Sequence, residues 1–292
     1  NDYGYEWIKD FEERFQIKAR NPISTGWSEL DRICKKGLGK GELGVVIAPT
    51  GVGKSMVLTH LGAAAIKNGK SVVHYTLELM DTVIASRYDS CVTGIELNDL
   101  MGKKDEIYEN IKDISGQLIV KEYPAKRATV KTLKNHLEKI VKKGNDIDMI
   151  IVDYADLLRP TVSYKEKRTE LESIYEELRS LAYDFACPIW TASQTNRGGL
   201  DAEVITMSSI SEAFSKCFVA DFIFSVSRTM IDKAKNSGRI FIAKNRNGPD
   251  GIVFPIFMDT SNVKIRVLPE NKNIFNEQKM TAGESRKLLR EK

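Results

Sequence analysis

The stretch Ala48-Pro-Thr-Gly-Val-Gly-Lys-Ser55 constrains this 292-residue chain more than any other. It follows an apolar, β-branched run at residues 43–47 and precedes residues 56–61, which read as a helix. A strand, a Gly-rich loop closing on Lys-Ser, and a helix form the setting that a phosphate-binding loop requires. Gly51 and Gly53 free the backbone to turn its N–H groups inward on a phosphate, and the helix N-terminus adds partial positive charge. Lys54 would reach the terminal phosphates and the Ser55 hydroxyl would serve Mg²⁺. Pro49, Thr50, Gly51, Val52, Gly53, Lys54, Ser55 and Met56 are therefore the candidate nucleotide-binding residues. Ala48 stands where the usual GxxxxGK[ST] pattern has its first glycine.

Around that loop, apolar runs and helical periodicity alternate. Strands are expected at residues 71–77, 118–120, 148–153 and 188–192, and helices at 82–93, 103–114, 129–143 and 165–186. The helix at 129–143 carries Val130, Leu133, Leu137, Ile140 and Val141 on one side. Such alternation predicts an α/β fold with a doubly wound, mainly parallel sheet. The closing strands at 222–226, 239–243, 252–257 and 263–267 lie too close for crossover helices, so the C-terminal edge should be antiparallel.

Residues 5–18 form an amphipathic helix candidate, with Ile8, Phe11 and Phe15 at helical spacing and Trp7 beside them. Asn21-Pro22 ends it, because the residue before proline avoids the helical region. The expected organisation is a linker helix at 1–20, a core at 21–268 and a polar, charged tail at 269–292.

A hydrophobic content of 42% suffices for one large core. No apolar run approaches the ~20 residues of a membrane span, and the first residues show no signal-peptide pattern. The net charge of +4 permits a polyanionic partner without demanding one. Cys34, Cys91, Cys187 and Cys217 are scattered, with no CxxC pair, and read as apolar residues of a reducing compartment.

In a sheet of this kind, ligands sit beyond the carboxyl ends of the parallel strands. Glu78, Asp153 and Gln194 all end strands on that side. Asp153 fits the acid that holds Mg²⁺ through water, Glu78 a general base for attacking water, and Gln194 a sensor of the γ-phosphate. Each alone is equally compatible with a cap or a surface group. Their coincidence beside one phosphate loop gives the reading its weight.

The order of motifs resembles the RecA-type core of the DnaB family of hexameric replicative helicases, most closely its T-even phage branch. The matching stretches are Ser24-Thr-Gly-Trp-Ser-Glu-Leu-Asp31, Ala48 to Ser55, Leu77-Glu-Leu-Met80 with Arg87, Ile151-Val-Asp-Tyr154, Ser193-Gln-Thr-Asn-Arg197 and Lys244-Asn-Arg-Asn-Gly-Pro249. They span residues 22–268, and the family also carries alanine at the position of Ala48. The resemblance implies ATP and Mg²⁺ as cofactors. Lys54 and Ser55 would contact the nucleotide and metal, Glu78 would be the catalytic glutamate, Asp153 the Mg²⁺-associated acid and Gln194 the sensor. Lys244 and Arg246 would be the pair inserted into the neighbouring subunit's site; no acid partner for them is evident in the local sequence.

The resemblance further implies single-stranded DNA as partner, a homo-hexamer, 5′→3′ movement, primase and loader contacts, no membrane, and a bacterial or phage-infected cytoplasm. DNA-facing loops would be 159–168, with Arg159, Lys165, Lys167 and Arg168, and 197–208, with Arg197. Flexible basic loops suit backbone-directed binding, although a charge run is equally compatible with a solvated surface. Family members carry a further domain ahead of this core, and the linker helix docks on the adjacent subunit. Two other readings stay open: a RecA-type recombinase or mediator, and a regulatory ATPase of the KaiC kind.

Overall fold

The apolar runs at residues 43–48, 72–76, 149–153, 189–193 and 222–227 become strands buried on both faces, which leaves no reason for polar alternation there. The computed structural model describes residues 6–9, 11, 12, 20–195, 214 and 216–270. Among them, β1 (Leu43–Ala48), β2 (Ser71–Thr76), β3 (Gln117–Glu122), β4 (Met149–Asp153), β5 (Ile189–Gln194), β6 (Phe222–Ser227), β7 (Ser237–Asn245), β8 (Val253–Asp259) and β9 (Lys264–Val267) form one sheet. The strand order is β3-β2-β4-β5-β1-β6-β7-β8-β9. Pairing is parallel from β3 to β6 and antiparallel from β6 to β9. The expected antiparallel edge therefore begins at β7. β6, the first of the closing strands, pairs parallel with β1.

Two cores sandwich the sheet. On β1, Val46 and Ala48 face one, and Leu43, Val45 and Ile47 face the other. The first core is roofed by α1 (Ser28–Ile33), α2 (Lys54–Lys67) and α3 (Asp81–Thr93), and the second by α5 (Val130–Lys142) and α6 (Lys167–Asp184). Between them in sequence lies α4 (Lys104–Ile111), while α7 (Met230–Ala234) follows β6. Thr129 caps α5 by accepting the Thr132 N–H at 3.2 Å. Trp27 stacks on His60 at 4.3 Å and donates its indole N–H to the Ile265 carbonyl at 3.0 Å, which ties the start of the core to β9.

Two helix starts and two short helices differ from the sequence expectation in ways that bear on the site. α2 begins at Lys54 rather than 56, so the phosphate loop runs directly into the helix. α6 begins at Lys167, which places Lys167 and Arg168 on its first turn rather than in a loop. The short α1 and α7 were not expected: neither is long enough to display a helical period.

Arg20, at the end of the expected linker, is anchored in the core. Its guanidinium pairs with Glu42 and donates to the carbonyls of Cys34 and Lys35 at 3.0 Å and of Gly37 at 2.7 Å. Trp7, Ile8 and Phe11 are exposed. The remainder of the expected linker helix, including Phe15, the basic loop with Arg197, and residues 271–292 of the tail lie outside the described residues.

Candidate active site

The phosphate loop takes its shape from two glycines with φ of +74° (Gly51) and +111° (Gly53). Side chains rarely adopt such angles. At Gly53 a Cβ would also come within 2.2 Å of the Met258 methyl. The Gly53 carbonyl accepts the Val57 N–H at 3.0 Å, so the helix starts at once behind the loop. Lys54 is buried, with its ammonium 3.4 Å from the Pro49 carbonyl and 5.4 Å from the centre of the Tyr154 ring. Burial lowers the Lys54 pKa, and Glu78, Asp153 and Asp156 oppose the shift.

Parallel register brings the strand ends together. Thr76 lies opposite Asp153, and Ala48 opposite Gln194. The Leu77 N–H donates to the Asp153 carbonyl at 2.8 Å, and the Thr76 hydroxyl braces the following turn by donating to the Leu79 carbonyl at 2.7 Å. That turn presents Glu78, exposed, beside Lys54, Arg87 and Asp153. The predicted Lys54, Ser55, Glu78, Asp153 and Gln194 thus meet at one edge of the sheet.

Asp153 is buried, and its Oδ1 has no hydrogen-bond partner among the described residues. Burial pushes its pKa up to about 6; a Ser55 hydrogen bond, Arg87 and Lys54 oppose the rise, and Glu78 adds to it. A buried oxygen without a partner beside the Ser55 hydroxyl is a pair of hard donors that suits Mg²⁺, whose other positions phosphate oxygens and water can fill. Among the described residues no cluster of three or more His, Cys, Asp or Glu could hold a metal by itself.

Tyr154, given no role in the sequence reading, donates its hydroxyl to Gln194 Oε1 at 3.2 Å and covers Lys54. The Asp153–Tyr154 peptide is cis. Asp156 was also missed. It accepts from Lys216 at 2.6 Å and from the Gln194 N–H at 3.3 Å. Its only sequence signal is a second acid three residues past Asp153.

Lys244 and Arg246 lie at the opposite edge. The Asp221 N–H donates to the Leu43 carbonyl where β1 begins, and the Arg246 N–H donates to the Asp221 carbonyl. Since the phosphate loop leaves the other end of β1, about 16 Å of strand separates the two sets. Arg246 finds an acid partner beyond its local sequence: its Nη1 is 3.0 Å from Asp221 Oδ1, and Arg179 holds the same carboxylate. The 25-residue separation hid that pair. Lys244 donates to the Phe218 carbonyl and lies 4.2 Å over the Phe218 ring. Arg159, Lys165, Lys167 and Arg168 are exposed, and Arg168 pairs with Glu172 at 2.8 Å.

Residues 22–263 match the family model described as DnaB-like helicase C terminal domain. A DnaB-like replicative helicase of Enterobacteria phage T4 is 31% identical over 262 residues, which cover 84% of this chain and 54% of that protein. The replicative DNA helicase DnaB of Helicobacter pylori is 24% identical over 280 residues, 80% of this chain and 57% of its own length. The chain spans about half the length of the curated relatives it matches. Among solved structures, a DnaB-like replicative helicase, described with its interactions with primase, has a TM-score of 0.73 at 18% identity. The likeness covers 90% of this chain and 67% of that one, and it shows a shared fold.

Proposed function

The chain belongs to the DnaB-like helicase C-terminal domain family, and from that premise we propose that it is the ATP-driven motor of a replicative helicase. It works as a homo-hexameric ring that moves 5′→3′ on single-stranded DNA in a bacterial or phage-infected cytoplasm. Among the described residues no helix is long and apolar enough to cross a membrane.

One observation carries this reading. Lys54, Ser55, Glu78, Asp153 and Gln194, groups suited to phosphoryl transfer to water, stand at one edge of the sheet, and Lys244 and Arg246, two cations of the kind that would finish such a site, stand at the other. Within one subunit they cannot meet. A second copy, arranged head to tail, brings Lys244 and Arg246 to the phosphate loop of its neighbour, a heterologous contact that closes as a ring.

In the assembled site, the loop amides and Lys54 bind the β- and γ-phosphates. Glu78 orients a water molecule and takes its proton as the water oxygen bonds to the γ-phosphorus and the β–γ bridging bond breaks. Gln194 faces the γ-phosphate and registers its departure. Ser55 and Asp153 would hold Mg²⁺, which would supply charge neutralisation on the phosphates. Arg246 of the adjacent copy neutralises the charge that builds on the transferred group. Exposed Arg159, Lys165, Lys167 and Arg168, together with Arg197, contact DNA phosphates without reading bases.

The solved relative described with its interactions with primase supports a primase as a further partner. The deciding experiment measures ATP turnover with and without single-stranded DNA, alongside particle mass under the same conditions. DNA-stimulated turnover by a species of about six subunits is expected. Undiminished turnover by a monomer without DNA would sink the reading.

A further inference from the structure

Asp156 lies in a single helical turn just beyond β4 and serves four donors at once. Its Oδ1 accepts the Tyr175 hydroxyl of α6 at 2.7 Å. Its Oδ2 accepts the Lys216 ammonium at 2.6 Å and, at 3.3 Å each, the Ser193 hydroxyl and the Gln194 N–H. The side chains of the ion pair are only 14% (Asp156) and 11% (Lys216) exposed. The main chain of the proposed γ-phosphate sensor is therefore pinned to the same carboxylate oxygen as Lys216.

Lys216 leads directly to the far edge of the sheet. Two residues on, Phe218 supplies the carbonyl and ring on which Lys244 rests. Cys217 between them is fully buried, and Asp221, just beyond, holds Arg246. Two cavities flank this segment. One of about 380 Å³ is lined by Tyr154, Asp156 and Gln194, and one of about 630 Å³ by Phe214, Phe218 and Arg246. Lys216 and Arg168 line both.

We propose that Asp156 is a positioning residue that joins Gln194 of one nucleotide site to Lys244 and Arg246, the cations presented to the next, with the Lys216–Phe218 turn as the connecting piece. The inference rests on the reading above, in which Arg246 acts in the neighbouring copy. Its physical basis is the cost of separating a buried pair: a desolvated ammonium or carboxylate cannot lose its partner cheaply. A displacement of Gln194 when the γ-phosphate leaves is thus passed to Lys216 instead of being absorbed at Asp156. Because Cys217 is packed, the turn moves as a piece and carries the support of Lys244 with it.

Contiguity alone does not demonstrate coupling. The test uses mixed assemblies of the full chain on single-stranded DNA. Lys54→Ala subunits mixed with Arg246→Ala subunits regain turnover only where an intact phosphate loop meets an intact arginine from next door. Asp156→Asn is then added to the Lys54→Ala chain, whose own site is already silent. The recovered kcat should fall about three- to thirty-fold, with KM for ATP unchanged within about twofold. Lys216→Met in the same place should do likewise, the two together no more than either alone, and Lys216→Arg should retain the recovered rate. An unchanged kcat overturns the proposal. So does a loss matched by a fall in particle mass or melting temperature, which would make Asp156 merely structural. No recovery in the parent mixture would overturn the trans-acting arginine itself, and is read before Asp156 is altered.

Discussion

Arg246 Nη1 lies 3.0 Å from Asp221 Oδ1, at the edge of the sheet where β1 begins and the phosphate loop is out of reach. Arg179 grips the same carboxylate with two hydrogen bonds of 2.9 and 3.1 Å, and the Leu43 N–H adds a third donor. Asp221 is therefore satisfied without Arg246, which can leave for a neighbouring site.

This arrangement separates fold from function at Arg246. The side chain is 47% exposed, so its ion pair is worth roughly 0–1 kcal/mol. Arg246→Ala should lower the melting temperature by no more than a few degrees and leave ATP binding nearly intact. Turnover should fall by roughly 10³–10⁵-fold, the contribution of an arginine finger. Calorimetry, nucleotide binding and steady-state kinetics on one preparation check all three. A large loss of stability would mean that the residue is structural.

Glu78 stands on a turn held by Thr76 and Leu77 rather than by its own carboxylate. Glu78→Gln should keep the turn and the nucleotide affinity while turnover drops by roughly 10²–10⁴-fold. Survival of turnover would move the base elsewhere.

Neutralising Lys165, Lys167 and Arg168 together should weaken single-strand binding. It should flatten the dependence of log K on log[salt] by up to about 0.7 for each DNA phosphate no longer neutralised. Arg168 already neutralises Glu172, so Lys165 and Lys167 should carry most of the change. Titrations at several salt concentrations decide this. An unchanged slope makes the segment a bystander.

Arg20 is the point to respect in any truncation. Arg20→Ala removes an ion pair and three hydrogen bonds to carbonyls at the start of the core. It should cost about 2–4 kcal/mol, several degrees in melting temperature for a chain of this size. Deleting residues 1–18, by contrast, should leave the melting temperature of the core in place and reduce particle mass if the apolar face of Trp7, Ile8 and Phe11 packs on a neighbour. Chemical denaturation separates the two outcomes.

The sequence by itself determined the fold class and one edge of the site. Strands buried on both faces have to be apolar throughout, and a loop that wraps a phosphate has to be glycine-rich and end on Lys-Ser. Those demands are local, and they leave residue patterns within a dozen positions of one another. Parallel strands then send Glu78, Asp153 and Gln194 to one edge whatever the details of packing.

Only the tertiary structure decided which groups hold which. Asp221 with Arg246 and Arg179, Asp156 with Lys216, and Arg20 with Glu42 are pairs separated by 22 to 60 residues. Opposite charges leave no periodicity in the chain, and their meeting depends on strand order and on the reversal at β7. That reversal also places Lys244 and Arg246 away from the phosphate loop of their own subunit. The motif identified the two cations, but strand direction set them at the end of the sheet opposite their own phosphate loop.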